Sequence, residues 1–591
     1  MSRGLRAIVL VLLACLLLPV VAACAPTPPA SPAGGPAGAA TSAPVPTSAQ
    51  AAASTAQPPT LEQLPTQGPL PTAAAASAAA VKPTAPPAAK PGGGIVVAAT
   101  ADGVTFHPYL RTDTASGAYQ GLVYGGSLVQ YDPKTLESIP DSAKGWTISD
   151  DKLTYTFTLR DDLVWSDGTP MTSADYKWTF DQAIKPENKY PYISNLQEIQ
   201  SYEAPDPKTI VVKLKEPIAV GIETADSVTP LPKHIWEKLD WSDPQKNPQI
   251  LAPTVGSGPY LLKEWQKDSR AVFVANDRYP DGRPLIDTVT YKIVPSSEIA
   301  YQMLKTGEVD FSGFTPENYA DAKKLPNVTV YEWWPAAATW MYLGFNMRRD
   351  ALKDPEVRRA LAHAIDRDAI AEHVMLNLAR PTYSAFTPSS WVYNPDVPKY
   401  EFDPEKAKSM LEAAGWKAGP GGVRQKDGKP LKLRIIFGPN TSKTAERVVT
   451  VTQQAWTDVG AEVEVAGMEW GTYLAQLRGE PFDWDVNFGL WSSTIEPHFM
   501  NQIWREDSIP SLNAGAYVNK RVEELFVQGV REFDREKRKK IYQEIQTILS
   551  TEAPYVFLTF NLSYTGVSNR VGGIEPTPLG IGYNRERWYI K

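Results

Sequence analysis

From residue 92 onward the chain interleaves two hydrophobic periods. Leu153-Thr154-Tyr155-Thr156-Phe157-Thr158-Leu159 sets apolar side chains on one face and threonines on the other, the period of a half-buried strand. Thr209 to Leu214 alternates in the same way, and Ile95 to Ala99, just after Gly92-Gly93-Gly94, predicts a first strand. Other stretches repeat every three to four positions. Ser296 caps a predicted helix that turns Ala300, Met303 and Leu304 inward and stops at Gly307. Asp354-Pro355 opens another, with proline at the first helical position and Val357, Ala360, Leu361, Ala364 and Ile365 as its stripe. Asp403-Pro404 repeats the device, with Ala407, Met410, Leu411 and Ala414 inward and Gly415 at the end. Thr172 and Asp175 form a capping-box pair, and Ile541, Ile545, Ile548 and Leu549 mark a long amphipathic helix. Strands mixed with helices predict an α/β class.

The first 91 residues follow neither period. Arg3 and Arg6 precede an apolar run from Ala7 to Ala23, the layout of a secretory signal over residues 1–23. Val21-Ala22-Ala23-Cys24 resembles a bacterial lipobox, which makes Cys24 the expected lipidated residue. Leu12-Leu13-Ala14-Cys15 fits the short pattern too but leaves a shorter apolar run. An uncleaved membrane anchor is the alternative, and Pro19 and the run's length weigh against it. Residues 24–91 are mostly Ala, Pro, Thr, Ser and Gly, too poor in apolar surface to offset ordering entropy. They predict a tether, able at ~3.1 Å per residue to reach ~200 Å when fully extended.

A chain of 591 residues exceeds one hydrophobic core, so two or three folded units are expected. A net charge of −7 with no basic stripe gives no reason to expect a nucleic-acid partner. Both cysteines, Cys15 and Cys24, lie in the first 24 residues, so the folded part has no thiol nucleophile, thiolate metal site or disulfide. The five histidines, His107, His234, His363, His373 and His498, show no paired ligand spacing, and neither a metal nor another cofactor is expected. Aromatics are abundant, with 17 Trp and 26 Tyr, suited to cores and pocket walls alike.

Trp146-Thr-Ile-Ser-Asp-Asp-Lys-Leu-Thr-Tyr-Thr-Phe-Thr-Leu-Arg160, continuing to Pro170, resembles the signature of the extracellular solute-binding proteins of family 5, receptors of ABC transporters for peptides, nickel and oligosaccharides. Pro232-Lys233-His234, Gly256-Ser257-Gly258-Pro259-Tyr260, Gly307-Glu308-Val309-Asp310, Leu343-Gly344-Phe345-Asn346, Asp354 to Asp366 and Glu401 to Trp416 resemble further family elements in order. The resemblance implies an α/β, periplasmic-binding-protein-like fold (type II, cluster C) of two lobes closing over a ligand. The implied boundaries are 92–132, 255–345 and 552–591 for lobe one, 133–254 for an extra subdomain, and 346–551 for lobe two. Phe345, Asn346, Pro554 and Tyr555 are the expected hinge.

In peptide receptors of this family an Asp after a Gly-Trp pair holds the peptide amine. The matching stretch here, Asp485 to Pro497, has Ser492, Ser493 or Thr494 at that place. Burying an ammonium against neutral hydroxyls is costly. Glu496 either substitutes as the amine's partner or caps the loop, the latter being the better supported. Asn487 and the hydroxyls beside Trp484 and Trp491 suit a neutral polar ligand, with Trp333, Trp340 and Phe557 as candidate walls. His107 falls where relatives carry Asp or Asn, and either faces the cleft or makes a structural hydrogen bond.

The implied function is a monomeric receptor, lipid-anchored outside the cytoplasmic membrane, that carries a peptide or oligosaccharide to an ABC permease and its ATPase. The rivals are a receptor that signals without import and a glycoside hydrolase built on Asp483, Asp485 and Glu496. No Gly-x-Ser-x-Gly, His-Glu-x-x-His or phosphate-loop pattern is present, and no enzyme is expected.

Overall fold

The computed structural model describes residues 90–438 and 443–591. The signal segment, Cys15, Cys24 and the tether up to residue 89 lie outside them.

Local signals are realised where the sequence places them. Ser296 Oγ accepts the Ile299 N–H at 3.3 Å, and Gly307 ends the helix Ser297–Thr306 at φ +79°, a left-handed position that suits glycine. Asp354 accepts from Glu356 N at 2.9 Å to start the helix Pro355–His363. Its stripe of Val357, Ala360, Leu361, Ala364 and Ile365 is fully buried, and each large aliphatic contributes about 1.5–3 kcal/mol.

Two sheets carry the described chain. The first has seven strands in the order Val328–Trp333, Ser563–Ser568, Phe311–Ser312, Gly94–Ala99, Thr288–Ile293, Arg270–Ala275 and Tyr260–Gln266. The second has six, in the order Ala379–Pro381, Tyr555–Asn561, Thr339–Phe345, Val486–Ser492, Lys432–Phe437 and Glu462–Gly467. A separate four-stranded antiparallel sheet, containing Thr154–Leu159 and Thr209–Leu214, forms the core of the subdomain.

The expected lobe boundaries need correction. Trp340 to Phe345 and Tyr555 to Phe560 are buried at every position. Strands apolar on both faces belong in the middle of a sheet covered on both sides. Met341, Leu343, Phe345, Val556 and Leu558 enter one core with Val357, Leu361 and Leu433, whereas Trp340, Tyr342, Tyr555, Phe557 and Phe560 enter another with Phe526, Ile545 and Leu549. Both strands thus belong to the second sheet. The chain crosses at 334–338, before Thr339, and returns at Leu562, between Asn561 and Ser563.

Phe345, Asn346, Pro554 and Tyr555 therefore lie at the far ends of these strands, about 20 Å from the crossings at the usual rise per residue. There they hold lobe two together. Phe345 N donates to Pro554 O at 3.1 Å, and Asn346 Nδ2 donates to Trp484 O at 2.9 Å.

The subdomain and lobe one also meet lobe two directly. Arg535 reaches Glu137 at 2.5 Å, Arg531 reaches Glu216 at 2.5 Å, and Ala219 N donates to Val530 O at 2.6 Å. On lobe one itself, Glu317 pairs with Arg447 of lobe two at 2.5 Å.

Candidate functional site

The strand Val486–Ser492 is paired unequally on its two sides. Along its whole length it runs antiparallel to Thr339–Phe345, but only Val486 and Asn487 pair with Ile435 and Ile436 on the other flank. In an antiparallel pair, alternate residues exchange N–H···O bonds with the partner, and those between turn their main-chain groups the other way. Ser493 N donates to Ala338 O at 2.9 Å, and Asn346 N donates to Asp485 O at 2.9 Å. Odd-numbered residues thus face the inner partner, while Phe488, Leu490 and Ser492 face outward. The Phe488 carbonyl accepts the Tyr473 hydroxyl at 3.1 Å. Leu490 and Ser492 are left presenting N–H and C=O along an edge with no strand paired to it among the described residues.

Around this edge the side chains divide into walls and supports. Leu490 is 36% exposed, Ser492 is exposed, and Ser492 Oγ lies 3.0 Å from Thr339 Oγ1. Trp491 is half-buried, its ring parallel to Tyr342 at 6.5 Å, and Tyr342 stacks on Tyr555 at 4.3 Å. A Cβ on Gly489 would come within 2.5 Å of the Tyr342 ring, so that stack requires glycine there. Trp333 is half-buried at the last position before the crossing.

Several expected site residues are supports instead. Trp340 and Trp484 are fully buried in two different cores and offer no face to a ligand. Phe557 packs on Trp340 at 5.4 Å inside the same core. Asn487 is buried and donates to the Tyr473 hydroxyl at 3.3 Å. Ser493 Oγ donates to Ala385 O at 3.0 Å, and Thr494 Oγ1 donates to Glu496 O at 2.6 Å, so both hydroxyls fix the loop.

Every carboxylate of the stretch has a cationic partner. Glu496 takes both arms of Arg538 at 2.9 and 2.5 Å, accepts the His498 N–H at 2.8 Å, and both side chains are 8% exposed. It therefore caps the loop and cannot also hold an incoming ammonium. Asp483 pairs with Arg434 at 2.7 Å, and Asp485 pairs with Arg349 at 3.3 Å while accepting the Arg434 N–H at 2.8 Å. Burial pushes the Asp485 carboxyl up, and those two donors hold it back.

His107 is enclosed in lobe one, with Trp236 at 5.0 Å and Trp241 at 4.6 Å. Its Nδ1 accepts the Tyr109 N–H at 3.1 Å, and burial lowers its pKa to about 3, so the ring is neutral and structural. Among the described residues, no group of three or more His, Cys, Asp or Glu is placed to hold a metal, and no helix is long and apolar enough to cross a membrane. Sequence reasoning missed Arg349, Arg434 and Arg538, the open edge at Leu490, and Tyr342 and Tyr473 beneath it. No local motif marks these residues, because each acts across a long sequence separation.

Two α/β lobes joined by two crossings, with an unpaired strand edge in the second lobe, define a solute-binding protein. The sequence pattern of the bacterial extracellular solute-binding proteins, family 5, matches residues 137–509, and the chain belongs to that family. It is thus a receptor that works outside the cytoplasm and not an enzyme. The chain is 28% identical over 502 residues to the oligopeptide-binding protein AppA of Bacillus subtilis, covering 84% of this chain and 91% of that one. It is 27% identical over 498 residues to a dipeptide-binding protein of Escherichia coli, covering 80% and 90%. The solved structure of the Bacillus subtilis AppA in complex with a nonapeptide superposes with a TM-score of 0.72 over 85% of this chain and all of that one. NikA from Brucella suis, solved with Fe(III)-EDTA, has a TM-score of 0.75 at 24% identity over 84% of this chain and all of that one, and shows the same fold.

Proposed function

We propose that this chain captures an extended peptide between its lobes and delivers it to an ABC permease and its ATPase. The observation that carries this reading is the open edge at Leu490 and Ser492. Its alternating N–H and C=O groups complement another peptide main chain, so the ligand adds as a strand and the sequence of its side chains matters little. The peptide names of the two sequence relatives support the same ligand class.

Recognition differs from amine capture in one respect. With Asp483, Asp485 and Glu496 committed to arginines, this segment grips the peptide by its main chain and leaves the amino terminus unread. The oligosaccharide alternative is weakened, since two of the tryptophans it relies on lie in cores. A lipid on Cys24 and the tether that follows hold the monomeric receptor near the membrane, within reach of a permease.

The test is calorimetric titration and thermal shift with a peptide pool, the same peptides N-acetylated, and an oligosaccharide pool. A ligand at 100 times its Kd stabilises by ~2.7 kcal/mol. Peptides should bind, acetylated or not. A response to sugars alone would overturn the reading, and loss of binding on acetylation would restore a hidden amine partner. A response with no permease genes nearby would favour sensing.

A further inference from the structure

We infer that lobe one carries a second ligand site, for a short apolar carboxylate, between its sheet and the C-terminal segment. A cavity of about 230 Å³ lies there, and every residue around it belongs to lobe one or to that segment. It therefore exists without lobe closure.

The walls are apolar, with Val97, Leu122, Val289 and Phe311 among them. Its polar groups are unevenly committed. Thr565 Oγ1 already donates to Ser312 O at 3.2 Å, and Ser312 Oγ donates to Gly313 O at 2.6 Å. A guanidinium remains. Arg585 has no carboxylate at ion-pair distance among the described residues, and its side chain's one hydrogen bond there is from Nε to Gly582 O at 3.4 Å. Trp588, 7% exposed, stacks on Phe311 at 4.9 Å and adds its ring to the apolar wall. Gly582 makes room for the cation, since a Cβ there would meet Arg585 Nη2 at 2.7 Å.

A guanidinium with no carboxylate partner, at the wall of an apolar cavity, calls for an anion carried on a hydrocarbon body. A carboxylate answers the guanidinium with two parallel hydrogen bonds. The volume holds about eight waters' worth of liquid, which suits a short chain and excludes an oligopeptide. Such a carboxylate comes from a short fatty acid; a free amino acid would have to bury its ammonium where the lining has no carboxylate.

The test titrates the full chain with octanoate, leucine and octan-1-ol, and repeats it on Arg585→Gln and Arg585→Lys. Octanoate should bind, and leucine and octan-1-ol should not. Arg585→Gln should weaken binding by about tenfold or more, and Arg585→Lys by less, because it keeps the charge but loses the fork. Leucine binding without octanoate would overturn the inference, because the lining has no carboxylate for its ammonium. No octanoate binding at about 1 mM, or binding unchanged in Arg585→Gln, would overturn the inference too. So would loss of binding in Leu490→Pro, which would put the ligand in the cleft; peptide binding in Arg585→Gln stays intact either way.

Discussion

Arg538 and Glu496 meet across 42 positions of chain, and at 8% exposure neither can shed its charge into water. Removing one partner strands the other. Arg538→Met should cost about 3–5 kcal/mol in denaturant unfolding, whereas Arg538→Met with Glu496→Gln should recover much of that loss. Equal losses in the single and double variants would show that packing, not the ion pair, sets the cost. His107 offers a second residue-scale test through pH. Its unfolded pKa is near 6.5 and its folded pKa about 3, lowered by burial, so below pH 6.5 the unfolded chain takes up a proton that the folded ring refuses. Stability from this residue is complete above pH 6.5 and falls by up to about 1.4 kcal/mol per unit as pH drops toward 3. His107→Gln should flatten that part of the profile, measured as melting temperature from pH 7 to pH 4, with His498, lowered to about 4, retaining a smaller slope.

The strand Val486–Ser492 is where element-scale physics meets function. Gly489 lies under the Tyr342 ring, and Gly489→Ala should cost about 1–3 kcal/mol by pushing that ring off its stack with Tyr555. Leu490→Pro acts differently. It deletes an N–H that faces an open edge, where proline is tolerated, so the fold should survive while peptide affinity falls by about tenfold. Intact affinity in a folded Leu490→Pro chain would remove the edge from the binding mechanism. Much of this scale was legible in the sequence, because caps and stops are local. Ser296, Gly307, Asp354-Pro355 and Asp403-Pro404 each act within a few residues of themselves. Sheet membership is not local. Thr339–Phe345 and Tyr555–Asn561 are apolar in any sheet, and only the two cores on either side of them fix which lobe they join. The site was half legible for the same reason. Ser492 and Trp491 are seen along one strand, but the arginines that silence Asp483, Asp485 and Glu496 come from elsewhere in the chain.

At the scale of the whole molecule, the two crossings and the lobe-to-lobe contacts do opposite work. The crossing at 334–338 is itself anchored. Ala336 N donates to Pro578 O at 2.9 Å, and Trp334 lies against Phe560 at 5.1 Å with Arg380 over its ring at 4.6 Å. Rotation between lobes is thus confined to a few main-chain torsions and to single residues such as Leu562. The flanks, by contrast, are held by separable pairs. Arg531 and Glu216 are each 57% exposed, so their pair contributes no more than about 1 kcal/mol and is screened by salt. Arg535 and Glu137 are more enclosed, at 18% and 36%. Such weak contacts suit a receptor that must open again at the permease, because a ligand shifts the closed population only by its own differential affinity. Reversing both cations, Arg531→Glu with Arg535→Glu, should set like charges against Glu216 and Glu137 and favour the open arrangement. Peptide affinity should then fall several-fold, mainly through faster release, and the radius of gyration in solution scattering should rise without ligand. Restoring attraction with Glu216→Arg and Glu137→Arg in the same chain should return both values. If affinity and scattering stay unchanged in the reversed chain, the flank pairs do not govern closure, and the torsions of 334–338 and Leu562 alone must set it.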